Sequence, residues 1–199
     1  MNLPNKITVS RIVLSFIILI MLCIPWHALG VTWPAFTNIF GIALKTPLSL
    51  KYIIAGFLFM IASLTDRLDG YLARKYNLVT DLGKMLDAIA DKILVNGVLI
   101  ILAYDRLIPL VVPVVIITRD IITDTCKMVS GNKGKVVAAS WTGKIKTVFM
   151  MTGVTLVFFG NLPFELINFR FTDLCLLIAT VLSVVSGCQY YFNTRKLLK

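Results

Sequence analysis

An all-α membrane protein that crosses the bilayer as six helices is the fold class this sequence predicts, on three observations. Hydrophobic residues make up 58% of the 199 and charged residues 15%, and the mean hydropathy is +0.87. A soluble domain sits nearer ~45–50% apolar and ~25% charged. Six apolar runs recur along the chain, at 12–30, 48–72, 83–104, 107–127, 145–161 and 172–192, each close to the ~20 residues that a bilayer span requires. Basic residues also sort by end. Lys6, Arg11, Arg74, Lys75, Lys127, Lys133, Lys135, Lys144, Lys146, Arg195, Lys196 and Lys199 fall at one set of ends, and Lys45, Lys51, Arg106 and Arg170 at the other. Six spans with both termini in the cytoplasm satisfy that asymmetry. The length fits a single domain over 1–199.

Each element has a local reason. The first run follows "MNLPNKITVSR", with no small-residue cleavage site before Trp26, so it is expected to stay as an anchor. The second and third runs are joined by the polar turn "RKYNLVTD", and Asp81 is positioned to cap the third helix. "RLIP" at 106–109 reads as a tight turn, "SGNKGK" at 130–135 as a glycine-rich basic loop, and "GNLPFELINFR" at 160–170 as an interfacial connection. Trp26, Trp33 and Trp141 read as interfacial anchors. Cys23, Cys126, Cys175 and Cys188 show no paired spacing and read as apolar filler. A single histidine, His27, argues against chemistry that needs a histidine cluster. The net charge of +10 points to an anionic membrane surface and phosphate-bearing substrates. Nucleic acid is excluded, because no basic run is interleaved with aromatics.

The chemistry concentrates in "DRLDGYLARKYNLVTDLGKMLDAIADK", residues 66–92, which hold five of the ten acidic residues. Asp66 and Asp69 are three apart and share a helix face; Asp87 and Asp91 are four apart and do likewise. The short turn makes the two helices antiparallel neighbours, so four carboxylates converge at the cytoplasmic end. Left bare, they would repel and take up protons. One or two divalent cations resolve this, and an all-oxygen set suits magnesium, manganese or calcium. Gly70 and Ala73 lie on this stretch, with Gly83 four residues before Asp87. Small residues there serve either close helix packing or a slot for a flat ligand. Arg74 is either a phosphate-binding fork or a topology anchor.

The spacing Asp66-x2-Asp69-Gly70-x2-Ala73-Arg74-x8-Gly83-x3-Asp87-x3-Asp91 resembles the signature of the CDP-alcohol phosphatidyltransferase family at every fixed position. The resemblance implies an enzyme that moves a phosphatidyl group from CDP-diacylglycerol to an alcohol and releases CMP. It implies magnesium or manganese, as two ions, on Asp66, Asp69, Asp87 and Asp91, with Asp91 as general base. It further implies that Gly70 and Ala73 admit the cytidine while Arg74 holds the diphosphate. A homodimer is implied by the same analogy. The site would be a polar cavity facing the cytoplasm at the edge of the cell membrane, open to lipid.

"NLPNKITVSR" resembles the start of many members, a short interfacial segment near the nucleotide. Asn5 and Thr8 are candidate nucleotide contacts, with helix capping as the alternative, and Arg11 reads as a topology charge. The acceptor is less determined. Arg119 sits inside the fourth run beside Asp120, with Asp124 nearby. It either pairs with these carboxylates or binds an acceptor phosphate. "GKVVAASWTGKIKT" resembles the phosphatidylglycerophosphate-forming branch of the family, whose acceptor is glycerol 3-phosphate. Arg119, Lys135 and Lys144 are the candidates for its phosphate, with Lys133 and Lys146 fitting ordinary topology charge. Phosphoinositol, phosphatidylglycerol and serine remain alternative acceptors. From another class, a divalent-cation transporter would also hold membrane carboxylates, but near the midplane and often in repeated halves.

Overall fold

The computed structural model describes residues 3–39, 42–76, 81–132 and 140–198. Among these are six α-helices: α1 (Leu3–Cys23), α2 (Leu50–Lys75), α3 (Asp81–Tyr104), α4 (Val111–Asn132), α5 (Trp141–Phe158) and α6 (Phe171–Leu198). The expected spans fall on them in order. The departure from an all-α chain is an antiparallel hairpin, β1 (Ala35–Ile39) with β2 (Ile42–Ser49), between α1 and α2. Its register pairs Ile39 with Ile42 and Ala35 with Ser49, and slips between Phe36 and Asn38. Pro47 is tolerated because a two-stranded sheet has only edge strands.

Helix boundaries follow local chemistry. α1 starts at Leu3 with Pro4 in its first turn, where a missing N–H costs nothing. "NLPNKITVSR" from Leu3 on is thus continuous with the first apolar run rather than a separate segment, which places Thr8 inside the helix and not at its N-cap; the Asn5 side chain lies outside the described ones. α3 ends where Arg106 takes φ 60°. There the Leu107 N–H donates to the Leu102 carbonyl at 2.9 Å and the Arg106 N–H to Ala103 at 3.1 Å, closing off the last carbonyls. This is the tight turn expected at 106–109. Of the expected basic loop, Ser130, Gly131 and Asn132 belong to α4, and 133–135 lie outside the described residues. α5 opens four residues earlier than expected, because the Ser140 Oγ accepts the Gly143 N–H at 3.2 Å. The 160–170 connection is held by Asn161, whose side-chain oxygen accepts from the Thr172 hydroxyl at 2.8 Å and whose amide donates to the Phe169 carbonyl at 2.8 Å.

The helices pack as two groups: α1 against α2 and α3, and α6 against α4 and α5. The groups meet through α2 on α5 and α3 on α4. The core between them includes Ile18, Phe59, Leu99, Ile116, Phe158 and Leu176. At Gly56 an added Cβ would stand 2.8 Å from the Cβ of Phe158, so the α2–α5 crossing needs a residue without a side chain. Outward faces are apolar too: Phe16, Ile20, Phe57, Ile61, Val114 and Val181 are all exposed. Among the described residues Phe171–Lys196 is long and apolar enough to cross a membrane, and Ile7–Cys23 is a shorter apolar helix. α2, α3 and α4 carry charges inside their apolar stretches, including Asp66, Asp87, Asp91, Arg119 and Asp120.

Candidate active site

Two buried charge centres lie in the bundle. The first is built on Arg11. Its place in the helix follows from the apolar run around it, and it is only 3% exposed. A guanidinium cannot shed its proton, so burial requires anionic partners. It finds two: Nη1 pairs with Asp66 Oδ1 from α2, and Nη2 pairs with Asp87 Oδ1 from α3. Nε has no hydrogen-bond partner among the described residues. Thr8 is buried one turn earlier on α1.

One carboxylate from each motif helix therefore reaches the same group; among the described residues α2 and α3 meet through α1, on which both pack, rather than by the direct packing expected from the short turn. Asp66 keeps 35% of its side chain exposed and Asp87 50%, so both face an opening. Asp91 is exposed one turn further along α3. Asp69 lies three residues on from Asp66 on α2, but its side chain, like those of Asn5, Ala73 and Arg74, lies outside the described ones. Gly70 and Gly83 are half-buried on α2 and α3. Among the described residues no three acidic, histidine or cysteine side chains converge as a metal set. The donors that do converge are carboxylate oxygens from two helices, which fits a hard divalent cation.

The second centre is built on Asp120 of α4. Arg119 Nη1 donates to Asp120 Oδ1 at 2.9 Å, and Lys146 Nζ from α5 reaches the two carboxylate oxygens at 3.2 and 3.4 Å. Arg119 Nε donates to Ser186 Oγ of α6 at 3.0 Å, and its guanidinium lies 5.7 Å from the Tyr190 ring centroid. Gly143 and Gly187 flank it, since a Cβ at either would stand 3.2 or 3.0 Å from the Arg119 side chain. Arg119 thus takes up the carboxylate pairing that was one of its two readings. Its stem also lines an apolar groove of about 480 Å³ between α4 and α6, with Val114, Ile122, Val184 and Tyr191.

Of the other acceptor candidates, Lys144 is exposed and its ammonium lies 5.2 Å from the Trp141 ring centroid. It is not part of the Asp120 centre. Lys135 lies outside the described residues. Lys146, read from sequence as ordinary topology charge, is the buried lysine among the described residues, at 2% exposure. Arg11 was read the same way, yet it sits at the first centre. Asp91 lies within electrostatic range of both centres, attracted by Arg11 and Lys146 and repelled by Asp87 and Asp120. α3 and α4 are tied by the ion pair of Lys92 with Asp124.

The family profile described as CDP-alcohol phosphatidyltransferase matches residues 1–185. A Bacillus subtilis protein named CDP-diacylglycerol–glycerol-3-phosphate 3-phosphatidyltransferase is 42% identical, covering 100% of this chain and 97% of its own. A Mycoplasma genitalium protein of the same name is 34% identical over 100% of this chain and 86% of its own. A Rickettsia bellii protein of that name is 30% identical over 98% and 96%.

Proposed function

Because this chain belongs to the CDP-alcohol phosphatidyltransferase family, we propose that it transfers the phosphatidyl group of CDP-diacylglycerol to glycerol 3-phosphate, giving phosphatidylglycerol phosphate and CMP. The observation that carries the reading is the meeting of motif carboxylates Asp66 and Asp87 from two helices at one cation. The acceptor assignment is supported by the names of relatives that match this chain over its whole length and by the excess of positive charge around Asp120.

In this reading Asp66, Asp69, Asp87 and Asp91 hold magnesium or manganese, as one or two ions. Bound there, the ions neutralise the diphosphate and stabilise the departing CMP. Gly70 and Ala73 leave room for the cytidine, with Asn5 and Thr8 as further nucleotide contacts, and Arg74 grips the diphosphate. Arg119, Lys135 and Lys144 hold the acceptor phosphate, and the fold adds Lys146, which shares Asp120 with Arg119 and leaves that centre with a cation in excess. Asp91 accepts the proton of the attacking hydroxyl as its oxygen bonds to the lipid-bearing phosphorus; the bond to the CMP oxygen breaks and that oxygen keeps the electron pair. The position of Asp91 within electrostatic reach of both centres supports this role, since the base must stand between diphosphate and acceptor.

The reading also takes residues 1–199 as one domain of six spans in the cell membrane, both termini and the site on the cytoplasmic side. The exposed apolar faces of α1, α2, α4 and α6 support this, because soluble monomers rarely expose large contiguous apolar patches. The homodimer rests on family resemblance alone. Purified protein given CDP-diacylglycerol and glycerol 3-phosphate with magnesium should release CMP. Release only with a different alcohol would reassign the acceptor, and no release with any alcohol would remove the transferase reading.

A further inference from the structure

The residue that the transferase reading leaves without a part is Arg11. It is a permanent cation, almost fully buried, and it holds one Oδ1 from each motif helix. A divalent cation shared by Asp66 and Asp87 would need the same oxygens. It would also stand a few ångströms from the guanidinium. Like charges at that distance, away from bulk water, repel strongly. The guanidinium and the metal therefore exclude each other.

We propose that Arg11 is an internal counter-ion of the metal site: it competes with the divalent cation for Asp66 and Asp87 and must swing away before the cation is held there. It is a positioning residue, acting through the carboxylates. The inference rests on the metal-dependent reading above. Two features of the site make the exchange feasible. The carboxylates keep a third to a half of their side chains exposed, so an ion can reach them from outside. Arginine's long flexible stem lets the head leave without moving α1. In exchange, the two carboxylates never face each other without a cation between them. Where a lysine would supply one compact donor head, the two Nη groups of arginine span both helices.

The test is Mn²⁺ binding, measured calorimetrically on the full-length protein in detergent, for wild type, Arg11→Gln and Arg11→Lys. Removing the charge should tighten Mn²⁺ binding by on the order of tenfold or more, with the lysine variant between glutamine and wild type. Melting adds a readout that a purely structural role would not give. Arg11→Gln should melt lower than wild type without Mn²⁺ and recover when Mn²⁺ saturates the site. Equal or weaker Mn²⁺ binding in Arg11→Gln overturns the inference, as does a melting deficit that persists at saturation. If the glutamine variant does not fold, Arg11→Lys decides: tighter binding than wild type upholds the competition and unchanged or weaker binding ends it. A wild type that binds no Mn²⁺ but still transfers the phosphatidyl group in chelator removes the metal reading and this inference together. A wild type that binds Mn²⁺ with no change on substitution removes the inference alone.

Discussion

The two groups of helices hold opposite imbalances. In α1–α3 one guanidinium faces two carboxylates; in α4–α6 one carboxylate faces a guanidinium and an ammonium. Counting the ion-paired side chains among the described residues, all ionised, the first centre is short of one positive charge and the second of one negative charge. Buried ionic groups tend toward neutrality, so the first is suited to gaining a cation and the second to gaining an anion. A reaction that brings a metal-bound diphosphate to a phosphorylated alcohol needs both, side by side. Asp91, which interacts with members of both centres, stands where the two would meet.

Asp91→Asn tests the meeting point and should have the largest effect. Turnover should fall roughly 10²–10⁴-fold, the usual share of a positioned base, while the melting temperature holds. Wild-type turnover in this variant would remove Asp91 as the proton acceptor. Chelation tests the negative centre. EDTA should abolish CMP release, and added Mg²⁺ or Mn²⁺ should restore it; Asp87→Asn should need more metal for half-maximal rate.

The positive centre should respond differently. Lys146→Met should raise KM for glycerol 3-phosphate roughly 10- to 100-fold, since a charge-assisted contact contributes about 1.5–3 kcal/mol, with KM for CDP-diacylglycerol little changed. If both KM values rise together, the two centres do not divide the substrates. Lys144→Ala, at an exposed residue stacked on Trp141, should shift the acceptor KM least. A Lys144 effect larger than that of Lys146 would move the acceptor pocket outward. Gly56→Ala strains the joint between the groups, where a new methyl meets Phe158. It should cost about 1–3 kcal/mol in stability, as overpacking does, read by denaturant titration where unfolding is reversible.

Much of this was legible in the sequence, and the misses have physical causes. Helix order followed from the apolar runs, which local spacing fixes; that Asp66 and Asp87 meet at Arg11 of α1 did not, since it depends on how α2 and α3 pack on a third helix. The hairpin at 35–49 was not foreseen: its residues lie between two spans, and its pairing is made by backbone groups that leave little pattern. Arg11 and Lys146 were misread for one reason. Each stands near the end of an apolar run, where a cation satisfies the positive-inside rule equally well in lipid headgroups or in a protein interior. A single sequence does not say which neighbours a helix turns toward, so it cannot tell a topology charge from a buried partner. Arg119 drew attention only because it stands deeper in its run.

The far end of the motif helices carries a clasp of its own. Tyr52, at the start of α2, donates its hydroxyl to Asp105, just past α3, at 2.5 Å. Fourteen residues separate Tyr52 from Asp66 on α2, about 21 Å of helix. One polar clasp thus fixes the two helices at the end away from the carboxylates, while α1 braces both between that clasp and the site.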